Sequence, residues 1–414
     1  MLGKNKRIAL SLVTAVGVAT MHMAVGVAGP PTKQTTVEIF NGQDGALPLG
    51  GNLLYNSQTI YGATYSGGFP AGASITADFG VVFSITDSVE AATTTVLHAF
   101  VGTDGMHPNG GLVADNQGNL YGTTSAGGAQ GLGTVFKLTS PNSANGTWTL
   151  TTLHNFSGPD GASPIAGVTF GPDGSIYGAT PAGGSEGTGI IFKIAPTGTF
   201  QILHDFTYLE GLGRPETNVV VDPTGTVVGT VSIAGGGVPH SFGGLFAIRP
   251  TGKLEFVSTV GGGRPVGNIV RDSIGNIYGT SNVVYLNPPF GAAIWKVAAY
   301  TYVWSYLAIL EGEVTAGGLT RDAAGNLYAT TTGSPNNFSS NEHRSNGGSV
   351  FAVGPTGIVT TLATLGFDNQ GPQAGVIFDP AGNLWGTTTA GGFPCGTPSN
   401  VTTTGCGTVF VLSH

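Results

Sequence analysis

Charged side chains are scarce in this chain of 414 residues, since Lys, Arg, Asp and Glu together make up only 9% of it. Coiled coils, helical bundles and disordered chains depend on far more charge, so the composition excludes them. The charges that are present are acidic in sum, 22 Asp and Glu against 14 Lys and Arg, which gives a formal net charge of −8. Such a chain lacks the basic surface that nucleic acids require, and no nucleic-acid partner is expected.

Long apolar runs are missing except near the N terminus. Basic residues in the first seven positions precede an apolar stretch, 8–18, and small residues follow as far as Ala28. This order is typical of a secretory signal peptide. An uncleaved membrane anchor is the alternative, disfavoured because His22 and several hydroxyl side chains interrupt the stretch. The sequence therefore predicts a signal peptide at 1–28, a short linker at 29–36, no membrane span in the mature chain, and a secreted, periplasmic or cell-surface location.

Cysteine is nearly absent as well, with Cys395 and Cys406 as the only two. An exported protein meets an oxidising environment, in which a disulfide between them is the expected state. A metal pair is the alternative, but no His, Asp or Glu lies between the two cysteines to complete a coordination set.

Glycine is abundant, with 71 residues, and 40% of the chain is apolar. This mixture is typical of a turn-rich, all-β protein. Within it the string at 120–124, Leu-Tyr-Gly-Thr-Thr, recurs with small changes. The seven copies are centred on Tyr61, Tyr121, Tyr177, Val228, Tyr278, Tyr328 and Trp385. Their mean spacing of about 54 residues holds four short strands and far exceeds one turn of a β-helix.

Each copy belongs to a larger unit with three further strings of β type, of which 133–138 in the second unit is an example. Branched and aromatic residues dominate these strings, as strands require. Seven units of four antiparallel strands predict a seven-bladed β-propeller over residues 37–414. The last unit is one strand short, and residues 37–40 are expected to supply that strand against 407–412 and so close the ring.

The repeat unit resembles that of the GloVer tandem-repeat proteins, and residues 119–124, the pair Gly127-Gly128 and residues 133–138 carry the resemblance. It runs over essentially the whole mature chain. The resemblance implies an exported protein, in a family whose members often carry a variable surface anchor, and it brings no catalytic residues.

Residues that recur at one register are assigned to the scaffold. In five units an Asp precedes the centre of the Tyr-Gly string by six residues and a Gly follows that Asp by three, which predicts tight turns. The aspartates are Asp115, Asp222, Asp272, Asp322 and Asp379. No cofactor is indicated. Structural or catalytic calcium is the alternative, although one carboxylate per turn falls short of the roughly six to eight oxygens that this ion takes.

Histidines and acidic residues each recur at a register of their own. His98, His154 and His204 recur in Leu-His-x-Phe strings, and an acidic residue recurs before Gly in the loops between units. The registry predicts a structural hydrogen-bonding role for the histidines and a turn role for the acids, with a cation-binding ring of carboxylates as the alternative. The acids at this register are Asp44, Asp104, Asp160 and Glu210.

Residues that break the registry lie in loops on one face of the predicted propeller, here called the mouth. Six of the seven loops that lead into a new blade contain Pro-x-x-Gly or Pro-x-x-Asn, and the residue before the proline, here called the rim position, varies. In blade order the rim position or its counterpart holds Leu47, His107, Ser163, Arg214, Arg264, Glu313 and Gly371. The two arginines therefore stand at equivalent positions on adjacent blades.

A binding module is the first function that the mouth supports, with an extracellular glycan or another surface ligand as its partner. Such a module needs no catalytic motif, and the sequence contains no Gly-x-Ser-x-Gly, His-Glu-x-x-His or phosphate-loop motif. The predicted ligand-binding residues are His107, Glu216, Tyr285, Glu313, Glu342, His343 and Arg344. A solvated rim of loop charges without a ligand, on a structural or adhesive protein, is the alternative.

An enzyme that acts on an acidic polysaccharide is the second function. In a polysaccharide lyase, Arg214 and Arg264 would neutralise the substrate carboxylate, while Tyr208 or His240 would transfer the proton. A glycoside hydrolase would instead need two carboxylates that face each other, such as Glu313 with Glu342 or Glu216.

Overall fold

Seven antiparallel sheets surround a common axis in the computed structural model of the protein. The structure describes residues 31, 33–49, 51–68, 78–86, 92–141, 146–234, 242–260, 263–283, 291–311, 315, 317–332, 347–366, 371–391 and 405–413. Each sheet is a blade with four strand positions, and the chain is a seven-bladed β-propeller, as predicted. In the described residues the regular structure is all β except for one short 3-10 helix, Tyr208–Glu210.

Within a blade the strands follow one another outward from the axis. Blade 1 contains β2 (Leu54–Asn56), β3 (Thr59–Thr64), β4 (Val81–Thr86) and β5 (Thr94–Ala99). Blade 2 contains β6 (Met106–Pro108) and β7 (Val113–Ala114), which share the inner position, then β8 (Leu120–Ala126), β9 (Thr134–Thr139) and β10 (Thr149–Asn155). Blade 3 contains β11 (Thr169–Phe170), β12 (Ile176–Thr180), β13 (Ile190–Ile194) and β14 (Phe200–Asp205).

The later blades repeat this order. Blade 4 contains β15 (Leu212–Gly213) and β16 (Val220–Val221) at the inner position, then β17 (Val227–Ala234), β18 (Phe242–Ile248) and β19 (Leu254–Thr259). Blade 5 contains β20 (Gly263–Arg271), β21 (Ile277–Val283), β22 (Gly291–Val297) and β23 (Trp304–Glu311). Blade 6 contains β24 (Thr320–Arg321), β25 (Leu327–Thr331), β26 (Ser349–Val353) and β27 (Val359–Thr364). Blade 7 contains β28 (Ile377–Phe378), β29 (Leu384–Thr388), β30 (Thr408–Ser413) and the N-terminal β1 (Lys33–Ile39).

The N-terminal strand closes the ring. β1 pairs antiparallel with β30, from Lys33 opposite Ser413 to Ile39 opposite Thr408, so the predicted closure is confirmed and the strand begins four residues before Val37. The core consists of seven apolar clusters, each shared by two neighbouring blades. One of them joins the last blade to the first and contains Phe40.

The Gly of the repeated Tyr-Gly string makes room for an aromatic ring on the next strand. Gly122 lies opposite Phe136 in the register, and a Cβ atom at Gly122 would stand only 2.7 Å from the Cζ atom of that ring. A larger side chain at this position would therefore displace the ring from the core between the blades. This close approach explains why a small residue follows the centre of every copy of the string, Gly in six copies and Ala329 in the sixth, where it lies opposite the buried Phe351.

The recurring aspartates form turns, as predicted. Asp272 is 6% exposed, and its Oδ1 atom accepts hydrogen bonds from the backbone N–H groups of Ile274, Gly275 and Asn276 at 2.8–3.1 Å. Its Oδ2 atom accepts from Asn276 Nδ2 at 2.6 Å and from the Tyr278 hydroxyl at 3.1 Å. The turn is thereby tied to the tyrosine of the Tyr-Gly string, and every oxygen of the carboxylate has protein donors.

The recurring histidines have the predicted structural role. His98 Nε2 lies 2.9 Å from Asp104 Oδ2, and the same pair recurs as His154–Asp160 at 3.0 Å and His204–Glu210 at 3.2 Å. Each acid also accepts a backbone hydrogen bond within its loop, as Asp104 does from Val101 at 2.9 Å. Burial alone would raise the pKa of Asp104, but these hydrogen bonds outweigh it and hold the pKa below its usual value.

The closing strand departs from this pattern, because Glu38 stands at the register of the histidine. The acid at its loop register is Asp44, which accepts a hydrogen bond from the backbone N–H of Asn41 at 2.9 Å. Burial and the nearby Asp44 carboxylate raise the pKa of Glu38, and burial raises the pKa of Asp44. Two carboxyl groups that influence each other therefore occupy the registers where three other joints place a histidine and an acid.

We expect Glu38→His to stabilise the ring by about 1 kcal/mol at about pH 7, because it replaces the two carboxyl groups with the histidine–acid pair that three other joints contain. The pKa values of Glu38 and Asp44 are raised in the folded state, so the wild type loses stability as pH rises through those folded-state values. The variant no longer has this loss, so it should be more stable than wild type at about pH 7. Its advantage is expected to vanish near pH 3, about where both carboxyl groups of the wild type are protonated and no longer repel. Denaturant unfolding at both pH values measures the difference, and Glu38→Gln is the control that removes charge without forming the pair.

The ends of the chain carry predictions that stay open. Residues 1–28 and Cys395 lie outside the described residues, so the signal peptide and the disulfide remain predictions, while Cys406 is fully buried in the core cluster that closes the ring. The described part of the chain contains no helix with the length and apolar character needed to span a membrane.

Candidate functional site

The backbone at the rim position is held by the preceding blade. Leu47, His107, Ser163 and Arg214 all adopt a left-handed conformation, with φ between 51° and 57°. The N–H group of each donates a hydrogen bond of 2.8 Å to a carbonyl oxygen of the blade before it, as Arg214 does to Thr188. These side chains are thus presented by a fixed backbone that L-residues adopt only where the surroundings impose it.

The proline that follows the rim position completes this contact between blades. A Cβ atom at Gly133, just before the third strand of blade 2, would lie 2.8 Å from Cδ of Pro164, which belongs to the next blade. The same proline-on-glycine contact recurs between the other described blade pairs that carry these residues. We call the backbone hydrogen bond of the rim residue and this proline–glycine contact together the interblade lock. The lock places the rim residues of neighbouring blades at constant positions around the mouth.

Beneath the rim, a cavity of about 580 Å³ surrounds the propeller axis. Its charged members are Glu216 and Arg264. Six further members share a primary amide at the end of the side chain, namely Asn52, Asn109, Asn218, Asn268, Asn282 and Gln373. The remaining lining is glycine, aliphatic residues, proline and threonine, so the polar chemistry of the cavity rests mainly on amides and one ion-pair cluster.

Arg214 and Arg264 converge on the carboxylate of Glu216. Arg264 donates from both Nε and a terminal nitrogen to Glu216 Oε2 at 2.7 Å, and Arg214 donates to Oε1 at 3.4 Å. The side chain of Glu216 is 8% exposed, whereas those of Arg214 and Arg264 are 55% and 61% exposed. The cluster therefore carries one net positive charge, with its anion covered and its two cations open to solvent at the mouth.

His107 is fixed at the rim between the first two blades. Its ring stacks on that of Tyr65, with centroids 4.2 Å apart and planes 9° from parallel, and its Nδ1 atom lies 3.0 Å from the Tyr65 carbonyl oxygen. Neither ring belongs to the cavity lining. The sequence reasoning named His107 and missed Tyr65, although Tyr65 directly follows the Tyr-Gly string of blade 1.

Tyr208 does not join the arginine cluster. It begins the 3-10 helix, its side chain is 72% exposed, and its backbone N–H donates to Glu186 Oε2 at 2.6 Å. The helix is tied down by Glu210, which accepts from the backbone N–H of Thr207 and pairs with His204. The remaining predicted site residues lie outside the described residues, namely His240, Tyr285, Glu313, Glu342, His343 and Arg344.

Two grooves on the opposite face are slightly larger than the axial cavity, at about 640 and 590 Å³. Their lysines are already engaged by the scaffold. Lys193 lies 2.7 Å from Asp173, and Lys137 lies over the ring of Tyr121, 5.5 Å from its centroid. The axial cavity is the candidate site because the charges that break the repeat meet there. Across the described ranges, no group of three or more His, Cys, Asp or Glu side chains could hold a metal ion.

Fold and site together define an all-β, seven-bladed propeller with a small cationic cluster at the mouth of an axial cavity. The chain belongs to the Gloeobacter/Verrucomicrobia repeat family, whose model matches residues 25–237 and, in an overlapping match, 72–283. This membership confirms the resemblance seen in the repeat strings. Comparison with curated protein sequences gives no significant match.

Solved structures with this fold include several lyases. A streptogramin B lyase has a TM-score of 0.55 at 13% identity, over 92% of this chain and 97% of the other. Virginiamycin B lyase from Staphylococcus aureus has a TM-score of 0.54 at 10% identity, over 92% and 99%. An ulvan lyase of polysaccharide lyase family PL25, bound to a GlcA(1-4)Rha3S saccharide, has a TM-score of 0.55 at 11% identity, over 91% and 95%. At these identities the likeness shows the fold alone.

Proposed function

We propose that this propeller is an exported protein that binds an acidic glycan at its mouth. The observation that carries the proposal is the convergence of Arg214 and Arg264 on the covered carboxylate of Glu216. Guanidinium groups bind carboxylates through paired N–H donors, and the arginines are more than half exposed. In a chain of net charge −8, a local excess of positive charge at a cavity mouth is a specific recognition feature.

Glu216 supports the proposal by positioning the two cations. Like charges on adjacent blades repel each other, and a shared carboxylate between them holds both guanidinium groups together at the mouth, where Arg264 and Glu216 also line the cavity. Because Glu216 is covered, an incoming anion meets the exposed nitrogens of the arginines. The amides below offer both donors and acceptors, which suit the hydroxyl groups of a sugar.

A polysaccharide lyase is the second candidate, and the same convergence favours it. Two guanidinium groups that bind a uronate carboxylate would stabilise the charge that develops when the neighbouring proton is removed. The structural neighbours with lyase activity make the fold permissive for such chemistry by analogy. A base is not assigned, because Tyr208 lies outside the cavity lining and His240 outside the described residues.

Binding by the chain without residues 1–28 tests the proposal. Titration calorimetry against soluble acidic and neutral polysaccharides should give binding to acidic ones, and Arg214→Gln with Arg264→Gln should weaken it about 100-fold through the loss of two charge-assisted contacts. Arg249→Gln with Lys253→Gln is the matched control, because these two cations also share one carboxylate, that of Glu255, on the opposite face. The control should stay within about twofold of wild type.

Three results decide the matter. Equal losses in the two double variants would mean that overall charge alone attracts the polysaccharide, and the proposal would be wrong. Failure of the wild type to bind any acidic polysaccharide would also overturn it. New ultraviolet absorbance from an unsaturated product, lost in the Arg214/Arg264 variant only, would establish the second candidate.

A further inference from the structure

The floor of the axial cavity follows a simple rule. The residue just before the buried apolar residue of each inner strand is Asn in three blades and Gly in the other four. The asparagines are Asn52, Asn218 and Asn268, and the glycines are Gly111, Gly167, Gly318 and Gly375. The sequence reasoning saw part of this pattern as Pro-x-x-Asn and Pro-x-x-Gly, and it assigned the pattern to loop structure only.

Two of the asparagines lie against the glycine of a neighbouring blade. A Cβ atom at Gly375 would stand 2.7 Å from Asn52 Oδ1, and one at Gly318 would overlap Asn268 Oδ1. The backbone N–H of Gly375 donates to Asn52 Oδ1 at 2.8 Å. These two glycines thus make room for the amides of Asn52 and Asn268. All three asparagines also line the axial cavity, so the cavity, called the bowl below, has amide side chains at this level, which we call its floor.

The side-chain oxygens of two of the three floor asparagines accept no hydrogen bond from the described part of the chain. The Oδ1 atoms of Asn218 and Asn268 are buried and have no partner among the described residues, in contrast to that of Asn52. A buried acceptor without a donor is unfavourable, so a ligand that supplies one gains affinity. Since no protein bond fixes either oxygen, both amides can turn toward a ligand at no cost in protein hydrogen bonds.

The missing partner is a hydrogen-bond donor, which narrows the chemistry of the ligand. Carboxylate, sulfate and phosphate oxygens only accept, so they cannot pair with these amide oxygens. A cation could do so, but Arg264 lines the same cavity and the arginine cluster has a net positive charge. A hydroxyl group donates without charge. The bowl therefore combines a place for a carboxylate at its mouth with places for hydroxyl groups at its floor.

We infer that the axial cavity takes a sugar acid, whose carboxylate binds Arg214 and Arg264 and whose hydroxyl groups donate to Asn218 and Asn268. The inference rests on the proposed function and specifies its ligand class. Two kinds of molecule carry these groups, an acidic glycan that ends in a uronic acid and a free sugar acid. A bowl of about 580 Å³ lies within the range of small-molecule sites.

Calorimetric titration with three small ligands tests the inference. Glucuronate carries both groups, hexanoate only the carboxylate, and glucose only the hydroxyls. The wild type should bind glucuronate at least about tenfold more tightly than either of the others. Asn218→Ala and Asn268→Ala should each weaken glucuronate binding about tenfold and leave hexanoate binding unchanged. Asn116→Ala, which removes an exposed amide on the opposite face, is the matched control and should change neither.

The outcomes separate this inference from the proposed function. If glucuronate and hexanoate bind equally and the floor variants lose nothing, while the arginine variant loses binding, the floor assignment is wrong and the acidic-ligand site stands. If no acidic ligand binds, both are wrong. Asn218→Ser and Asn268→Ser keep an acceptor in a shorter side chain, so they should bind glucuronate more tightly than the corresponding alanine variants. Where glucuronate binds, competition by an oligosaccharide with a terminal uronate identifies a glycan end as the source, and its failure to compete identifies a free sugar acid.

Discussion

Phe40→Ala is expected to lower the free energy of unfolding by about 3–5 kcal/mol, the range for removing a buried aromatic side chain. Phe40 is 1% exposed and follows the closing strand β1. Its ring meets that of Phe83 edge to face, with centroids 5.2 Å apart, and its backbone N–H donates to Gly407 at 3.1 Å. The ring therefore joins the two ends of the chain through one core cluster, and denaturant unfolding with fluorescence and circular dichroism measures the loss.

Two matched variants interpret that result. Phe156→Ala removes the equivalent fully buried ring from a joint within the chain, and it should cost about as much as Phe40→Ala. Phe256→Ala removes a ring that is 49% exposed and should cost about 1 kcal/mol or less. A cost for Phe40→Ala near that of Phe256→Ala would mean that the closing joint contributes little to stability, contrary to the role assigned to β1.

Asp272→Ala should cost about 2–4 kcal/mol, because it leaves three backbone N–H groups, the Asn276 amide and the Tyr278 hydroxyl without their shared acceptor. Burial alone would raise the pKa of Asp272, but the hydrogen bonds from Asn276 and the turn hold it below the usual value. A lowered pKa means that this stabilisation is present above the unfolded-state value and is lost as pH falls through the folded-state value.

The variant should therefore differ from wild type more at about pH 7 than at about pH 2. Asp222→Ala is the control, because Asp222 holds the same turn through Thr224 and Thr226 but faces Val228 in place of a tyrosine. Its cost should be smaller by about 1 kcal/mol. Equal costs for the two variants would mean that the bonds from the Asn276 amide and the Tyr278 hydroxyl together add nothing to stability.

The repeat made the fold predictable. Seven copies of one string fix the number of blades, and the unfinished last unit points to the N terminus for its missing strand. The pairing of β1 with β30 confirms that reading, while the start of the strand at Lys33 was missed because residues 33–36 lie beyond the part that matches the repeat. The repeat predicts the elements that recur in every unit, but it does not predict where a segment without a counterpart in the other units begins.

The site was predictable only where it breaks the repeat. Arg214 and Arg264 were paired correctly because equivalent positions on adjacent blades must be neighbours. The floor amides were missed because Asn and Gly share a register that looked like loop structure. Tyr208 was placed with the arginines by its loop alone, whereas the local 3-10 helix directs its side chain to solvent.

The interblade lock also bears on how such a mouth changes during evolution. Because the preceding blade holds the backbone of Leu47, His107, Ser163 and Arg214, replacing a side chain at these positions alters what the mouth presents without rebuilding a loop. Arg214, His107 and Ser163 share one backbone conformation and one hydrogen bond, yet they offer a cation, an imidazole and a hydroxyl. Ligand specificity can therefore drift by single substitutions while the ring stays intact, and the same positions form a natural set for a combinatorial library.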